Sequence, residues 1–168
     1  MSNDTPKTLG QDTLKQVFVH NLNRIYFGKC YLDAHLDHLK SLVSFNALQQ
    51  ALQEFWDDVK KQIVRMEQVY KLIGETPSDK NCNPIKSIVK DEFCLDEGQS
   101  IPVLLDMDIM MYLQLLEHIN ITSCHMLIMV AEQLNYTTAK QLLTECKDES
   151  IDNDELFTLI IKEYISVN

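Results

Sequence analysis

The sequence predicts an all-α fold, a four-helix bundle of two antiparallel helix hairpins joined by a long crossover that contains a short helix. Three observations predict it. Apolar residues recur every three or four positions through four long stretches, which is the period of one helix face. No stretch alternates with the period of two that a half-buried strand needs. Between the second and third stretches, residues 75 to 100 hold two of the four prolines, and this connection far exceeds the roughly 2–8 residues of a helix hairpin.

Residues 1–11 are polar and carry Pro6 and Gly10, so they read as a disordered tail ahead of a single domain over 12–168. Asp12 or Thr13 is placed to cap the first helix with a side-chain oxygen. Its stripe runs Leu14, Phe18, Leu22, Ile25, Lys29, Leu32, Leu36, Leu39, Val43, and Ser44 to Asn46 break it. The second stripe runs Leu48, Leu52, Phe55, Val59, Gln62, Met66, Val69, Ile73, with Gly74 as a C-terminal stop and Pro77 beyond it. A short helix is expected from Pro84 to Phe93 in the crossover. The third helix, from about Pro102 to Leu134, is apolar nearly all round, so it is either the most buried helix or part of a subunit interface. That surplus of apolar surface predicts a homodimer. Thr137 or Thr138 opens the fourth helix, whose stripe reads Ala139, Leu142, Cys146, Ser150, Asp154, Phe157, Ile161, Tyr164.

At 168 residues and 45% hydrophobic, the chain can bury a core without disulfides or metals. A net charge of −10 argues against nucleic acid and against an anionic membrane surface, both of which need a concentrated basic face. The apolar run from Ile109 to Leu134 contains Gln114, Glu117, His118, Asn120 and His125, too many polar groups for a membrane span. Five widely spaced cysteines with no C-x-x-C pair fit reduced thiols in a cytoplasm, and the polar N-terminus lacks the apolar core of a signal peptide.

Each long stripe is interrupted near its middle by polar residues: Lys29, then Asp58 with Gln62, then Glu117, then Ser150 with Asp154. Middles of antiparallel helices meet at one level of a bundle. Two hairpins with one long crossover is the ferritin-like topology, whose members build a carboxylate metal site at that level. The usual Glu-x-x-His pairs are missing here. Glu117 is followed directly by His118, about 100° away around the helix, so the two point apart. His35 and His38 lack the spacing of a phosphotransfer histidine, and the methionines at 107, 110, 111, 126 and 129 read as adaptable core filling.

The order of residues resembles the YciF/YciE-type bacterial ferritin-like family, stress-associated proteins of unsettled function, over roughly residues 14 to 162. The resemblance is carried by Val17-Phe18-Val19-His20-Asn21-Leu22 with Tyr26, and by Gln62-Ile63-Val64-Arg65-Met66-Glu67. It continues through Cys82 with Ile88-Val89, Gln114-Leu115-Leu116-Glu117-His118, and Ala131-Glu132-Gln133-Leu134 leading into Leu142-Leu143. The departures fall where the resemblance implies metal ligands. Lys29 stands for a glutamate on the first helix, and Phe55, Asp58 and Val59 stand for His-x-x-Glu-Thr on the second. Asn120 ends what would be Glu-His-Tyr-Glu, and Ser150 replaces the second of two glutamates, while Asp154 is retained.

Asp58, Gln62, Glu117 and Asp154 are therefore the vestigial candidate ligands. The resemblance implies a non-catalytic bundle with a degenerate metal site closed by a lysine, with no cofactor expected. The alternative is a weakened metal-binding protein that handles iron or manganese in oxidative stress. A lysine in a core stripe must find partners or reach solvent, so Lys29 is expected in a core ion pair with Glu117, Asp58 or Asp154, at about 4 Å or less.

Overall fold

The computed structural model describes residues 8–91, 93, 95, 96 and 98–166. Most of the expected tail, residues 1–7, lies outside them. The described residues form six helices and no strand: α1 (Gln11–Asp33), α2 (Leu36–Leu42), α3 (Asn46–Ile73), α4 (Pro84–Lys90), α5 (Pro102–Gln133) and α6 (Thr137–Ile165). The four long helices close a ring in which α1 packs on α3 and α5, while α6 packs on α3 and α5.

Side-chain pairs fix the direction of each neighbour. Along α1 and α3 the partners are Asn23 with Tyr70, Tyr26 with Glu67, Lys29 with Gln62 and Asp33 with Trp56. One number rises as the other falls, so the helices are antiparallel. The same holds for α3 with α6 through Asp58–Asn153 and Arg65–Glu145, and for α5 with α6 through Asp106–Tyr164 and Gln114–Asp154. The connection from Ile73 to Pro102 therefore runs the length of the ring, with α4 inside it against α1.

The first predicted helix is two pieces. The His35 ring hydrogen bonds to the Tyr31 carbonyl at 2.7 Å, which a continuous helix would give to the His35 N–H; that N–H turns instead to Leu32 O at 2.9 Å. The apolar phase survives the break, and Leu32, Leu36, Leu39 and Val43 all stay buried. Helix α1 starts at Gln11 with Gly10 before it and no side-chain cap, so neither Asp12 nor Thr13 caps it. Gly74 ends α3 in the left-handed region at φ 69°, and its successor's N–H reaches back to Tyr70 O, the closing turn the sequence anticipates. The expected short helix in the crossover is present over Pro84–Lys90, capped by the Asn83 side chain on the Ile85 and Lys86 amides.

Gly28 explains how α4 sits so close to α1. A Cβ there would lie 2.8 Å from both Asn83 Oδ1 and Ile85 Cδ1, so the missing side chain leaves room for Asn83 and Ile85 against α1. The Asn83 amide also donates to Arg24 O, which ties the crossover to α1. No helix among the described residues is long and apolar enough to cross a membrane.

Candidate functional site

Halfway along the ring the core turns polar. Lys29 from α1, Gln62 from α3, Glu117 and Asn120 from α5, and Ser150 and Asn153 from α6 are all buried, among them Lys29, Asn120 and Ser150 at 0% exposure. Each stands on the inward face of a helix whose flanking turns are Leu, Ile, Val, Phe or Met, so the packing that buries those neighbours buries the polar residue too. Cys124 and Cys146 lie in the same interior, where burial pushes their thiols up to about 12 and about 11. Cys30, Cys82, Cys124 and Cys146 are free thiols, and Cys94 lies outside the described residues.

Lys29 neither snorkels nor makes the expected direct ion pair. Its ammonium donates to Gln62 Oε1 at 2.5 Å, and no ion pair of Lys29 within 4 Å forms among the described residues. Gln62 faces two ways: its Nε2 donates to Cys146 O at 3.3 Å and to Glu149 Oε2 at 3.2 Å, so it spans α1, α3 and α6. Arg65 takes Glu149 from the outside at 2.8 Å, at a partly exposed position that leaves this second pair worth little by itself.

Glu117 is the carboxylate of the layer. Burial pushes its acid up, and the charge of Lys29 with the polar groups of Ser150, Asn120 and Asn153 pulls it back without cancelling the effect. Asn120 Nδ2 donates to one oxygen at 3.0 Å and Asn153 Nδ2 to the other at 3.3 Å. The Ser150 hydroxyl faces this carboxylate closely enough to favour its charged form by hydrogen bonding, yet among the described residues neither Ser150 Oγ nor Asn120 Oδ1 completes a well-formed hydrogen bond.

Two of the candidate ligands stand apart from this layer. Asp58 is partly exposed and is held by Lys61 at 2.9 Å, and it reaches the layer through Asn153. Asp154 is turned outward to Gln114 at 3.0 Å and to exposed His118 at 3.5 Å. The inward face of α6 is Leu143, Cys146, Ser150, Asn153, Phe157 and Ile160, so the expected stripe through Leu142, Asp154 and Ile161 is displaced by one residue at those three positions. The sequence reading marked Asn120 only as a lost ligand and missed Asn153, and these are the two amides that hold Glu117. Among the described residues no group of three or more His, Cys, Asp or Glu is placed to hold a metal ion. The side chains present do not fit a pair of divalent ions, because a buried ammonium, two amides and a hydroxyl occupy the level where carboxylates would be needed.

Comparison with known proteins gives this geometry its relatives. The chain is 26% identical to Protein YciF of Escherichia coli K12 over 147 residues, 87% of this chain and 89% of that protein. The crystal structure of the E. coli stress protein YciF superposes with a TM-score of 0.84 at 26% identity, covering 92% of this chain and 98% of that one. YcfI from Rhodopseudomonas palustris superposes with a TM-score of 0.81 at 24% identity, covering 94% and 98%. A family model described as a domain of unknown function, DUF892, matches residues 13–167. With that match spanning nearly its whole length, the chain belongs to the DUF892 family and is a YciF-like protein.

Proposed function

We propose that this chain is a non-catalytic ferritin-like four-helix bundle whose metal position is closed by Lys29, and that it serves as a structural or interaction protein in a stress response. The observation that carries this reading is the fully buried Lys29 ammonium hydrogen bonded to Gln62, with Asn120 and Ser150 at 0% exposure beside it. A fixed positive charge at that level opposes a divalent cation, and Glu117 already spends both oxygens on asparagine amides. The E. coli relative is described as a stress protein and the R. palustris one, provisionally, as a structural protein. The free thiols fit a reducing compartment, the cytoplasm.

Elemental analysis of protein purified without chelator tests the closed site. Less than stoichiometric iron and manganese is expected. A stoichiometric ion would overturn the closure and favour the alternative, a weakened iron- or manganese-handling protein using Asp58, Glu117 and Asp154. Lys29→Glu is expected to raise metal uptake, since it exchanges the opposing charge for a ligand.

The interaction surface we propose is the outer face of α5, where Met111, Leu115, His118, Thr122, His125 and Met129 are exposed in steps of four and three. This is the seam spacing of paired helices, and its natural occupant is a second copy of the chain.

A further inference from the structure

We propose that the central layer binds one ordered water molecule between Lys29 and Glu117, held by Lys29 Nζ, Asn120 Oδ1 and Ser150 Oγ. This deepens the closed-site reading and rests on it, because a metal ion at this level would claim the same space.

Two observations support that position. An ammonium carries three N–H donors, and Lys29 gives one to Gln62 with its side chain wholly out of solvent. Asn120 Oδ1 and Ser150 Oγ are both buried and both without a hydrogen bond among the described residues. Native interiors seldom leave such atoms unpaired, and an ordered water is the usual partner where polar groups converge.

Rotating the Asn120 amide does not remove the need. The rotation would bring its oxygen to the Glu117 carboxylate in place of the Nδ2 now 3.0 Å away, acceptor against acceptor. The chemistry of the open groups also selects the ligand. Lys29 offers donors, Asn120 Oδ1 accepts, and Ser150 can do either. An anion would meet Glu117 and Asn120 Oδ1, and a cation would meet Lys29. Water satisfies all of them, accepting from Lys29 and donating to Asn120.

A crystal structure of the unmodified chain, resolved well enough to order solvent, is the direct test. A density peak within hydrogen-bond distance of Lys29 Nζ and of Asn120 Oδ1 or Ser150 Oγ is expected. In solution, water-selective NMR should show transfer from a long-lived water to the Asn120 side-chain amide protons. Ser150→Val, which fills the space with carbon, should abolish that transfer while circular dichroism remains helical. A dry layer in which Asn120 Oδ1 and Ser150 Oγ pair directly with protein groups overturns the proposal and leaves the closed-site reading intact. A metal ion at the position overturns both, and elemental analysis tells the two failures apart. Should Ser150→Val not fold, the density of the unmodified protein decides.

Discussion

Glu117 makes the stability of this protein depend on pH in a direction that can be worked out. Its folded carboxyl titrates above the ordinary value of 4.5 because burial outweighs Lys29 and its three polar neighbours. Over the interval above 4.5 the native state binds more protons than the unfolded chain, so the stabilisation present in acid is lost as pH rises through the folded value. Glu117→Gln should remove that dependence. Denaturant titrations from pH 4.5 upward would show the parent losing up to about 1.4 kcal/mol per pH unit relative to the variant inside the window. Parallel curves would contradict the assignment. Lys29→Met should destabilise the fold at neutral pH by about 3 kcal/mol, the lower part of the range for stranding a buried charge, with the loss shrinking as Glu117 is protonated in acid. Gly28→Ala should cost about 1–3 kcal/mol in the same assay, since its Cβ would collide with Asn83 and Ile85 unless α4 moves away. The layer was partly legible beforehand: Lys29, Gln62, Glu117 and Ser150 each interrupt an apolar stripe, and an interruption marks the level. The role of Asn120 was hidden because the resemblance marked it only as a lost ligand and not as a donor to Glu117. Asn153 was hidden because a helix advances by three or four residues with equal ease, and Asp154 satisfied the pattern as well. Spacing sets the level of a side chain but not its reach, which is why the partner of Lys29 proved to be an amide.

The turn between α2 and α3 is held by one buried acid on a third helix. Asp106, 0% exposed at the start of α5, accepts from the Ser44 backbone N–H at 3.0 Å, from Ser44 Oγ at 2.6 Å and from the Tyr164 hydroxyl at 2.6 Å. Phe45 packs edge-on against the Tyr164 ring at 4.0 Å between centroids, so the end of α6 closes over the same corner. Burial and Asp106 push the Tyr164 phenol up to about 12. Asp106→Leu removes the shared charged acceptor from the Ser44 amide and hydroxyl and from the partly exposed Tyr164 hydroxyl. A loss of about 2–4 kcal/mol is expected, with amide exchange accelerated more at Ser44 than within α3. Equal acceleration at Ser44 and within α3 would deny the corner its role. The long helices, the Gly74 stop and the short helix of the crossover were readable because periodicity and chain punctuation are local signals. Asp106 was not, since its three donors come from Ser44 and Tyr164, 62 and 58 residues away in sequence. The break at His35 escaped for another reason. The apolar phase runs through it unchanged, and only a side chain competing for the Tyr31 carbonyl marks it.

At the scale of the whole molecule the unresolved demand is on α5, which is buried against α1 and α6 on one side and still presents Met111, Leu115 and Met129 to solvent on the other. The exposed positions 111, 115, 118, 122, 125 and 129 are symmetric about residue 120, since 111 and 129, 115 and 125, and 118 and 122 lie equally far from it. A two-fold axis crossing α5 near residue 120 would lay Met111 of each copy against Met129 of the other and Leu115 against His125. A closed dimer requires a patch that is complementary to itself, and a seam with this symmetry meets that condition when the helices run antiparallel. The net charge of −10 does not forbid the approach, because no acidic residue stands at these six positions. Light scattering at micromolar concentration should give twice the chain mass. Leu115→Glu places two like charges beside the axis, so it should halve that mass while the helical circular dichroism is kept. Lys162→Glu on α6, away from the seam, should leave the dimer unchanged. A parent protein that runs as a monomer, or a Leu115→Glu variant that stays dimeric, would move the interface off α5 and leave its exposed methionines without a purpose.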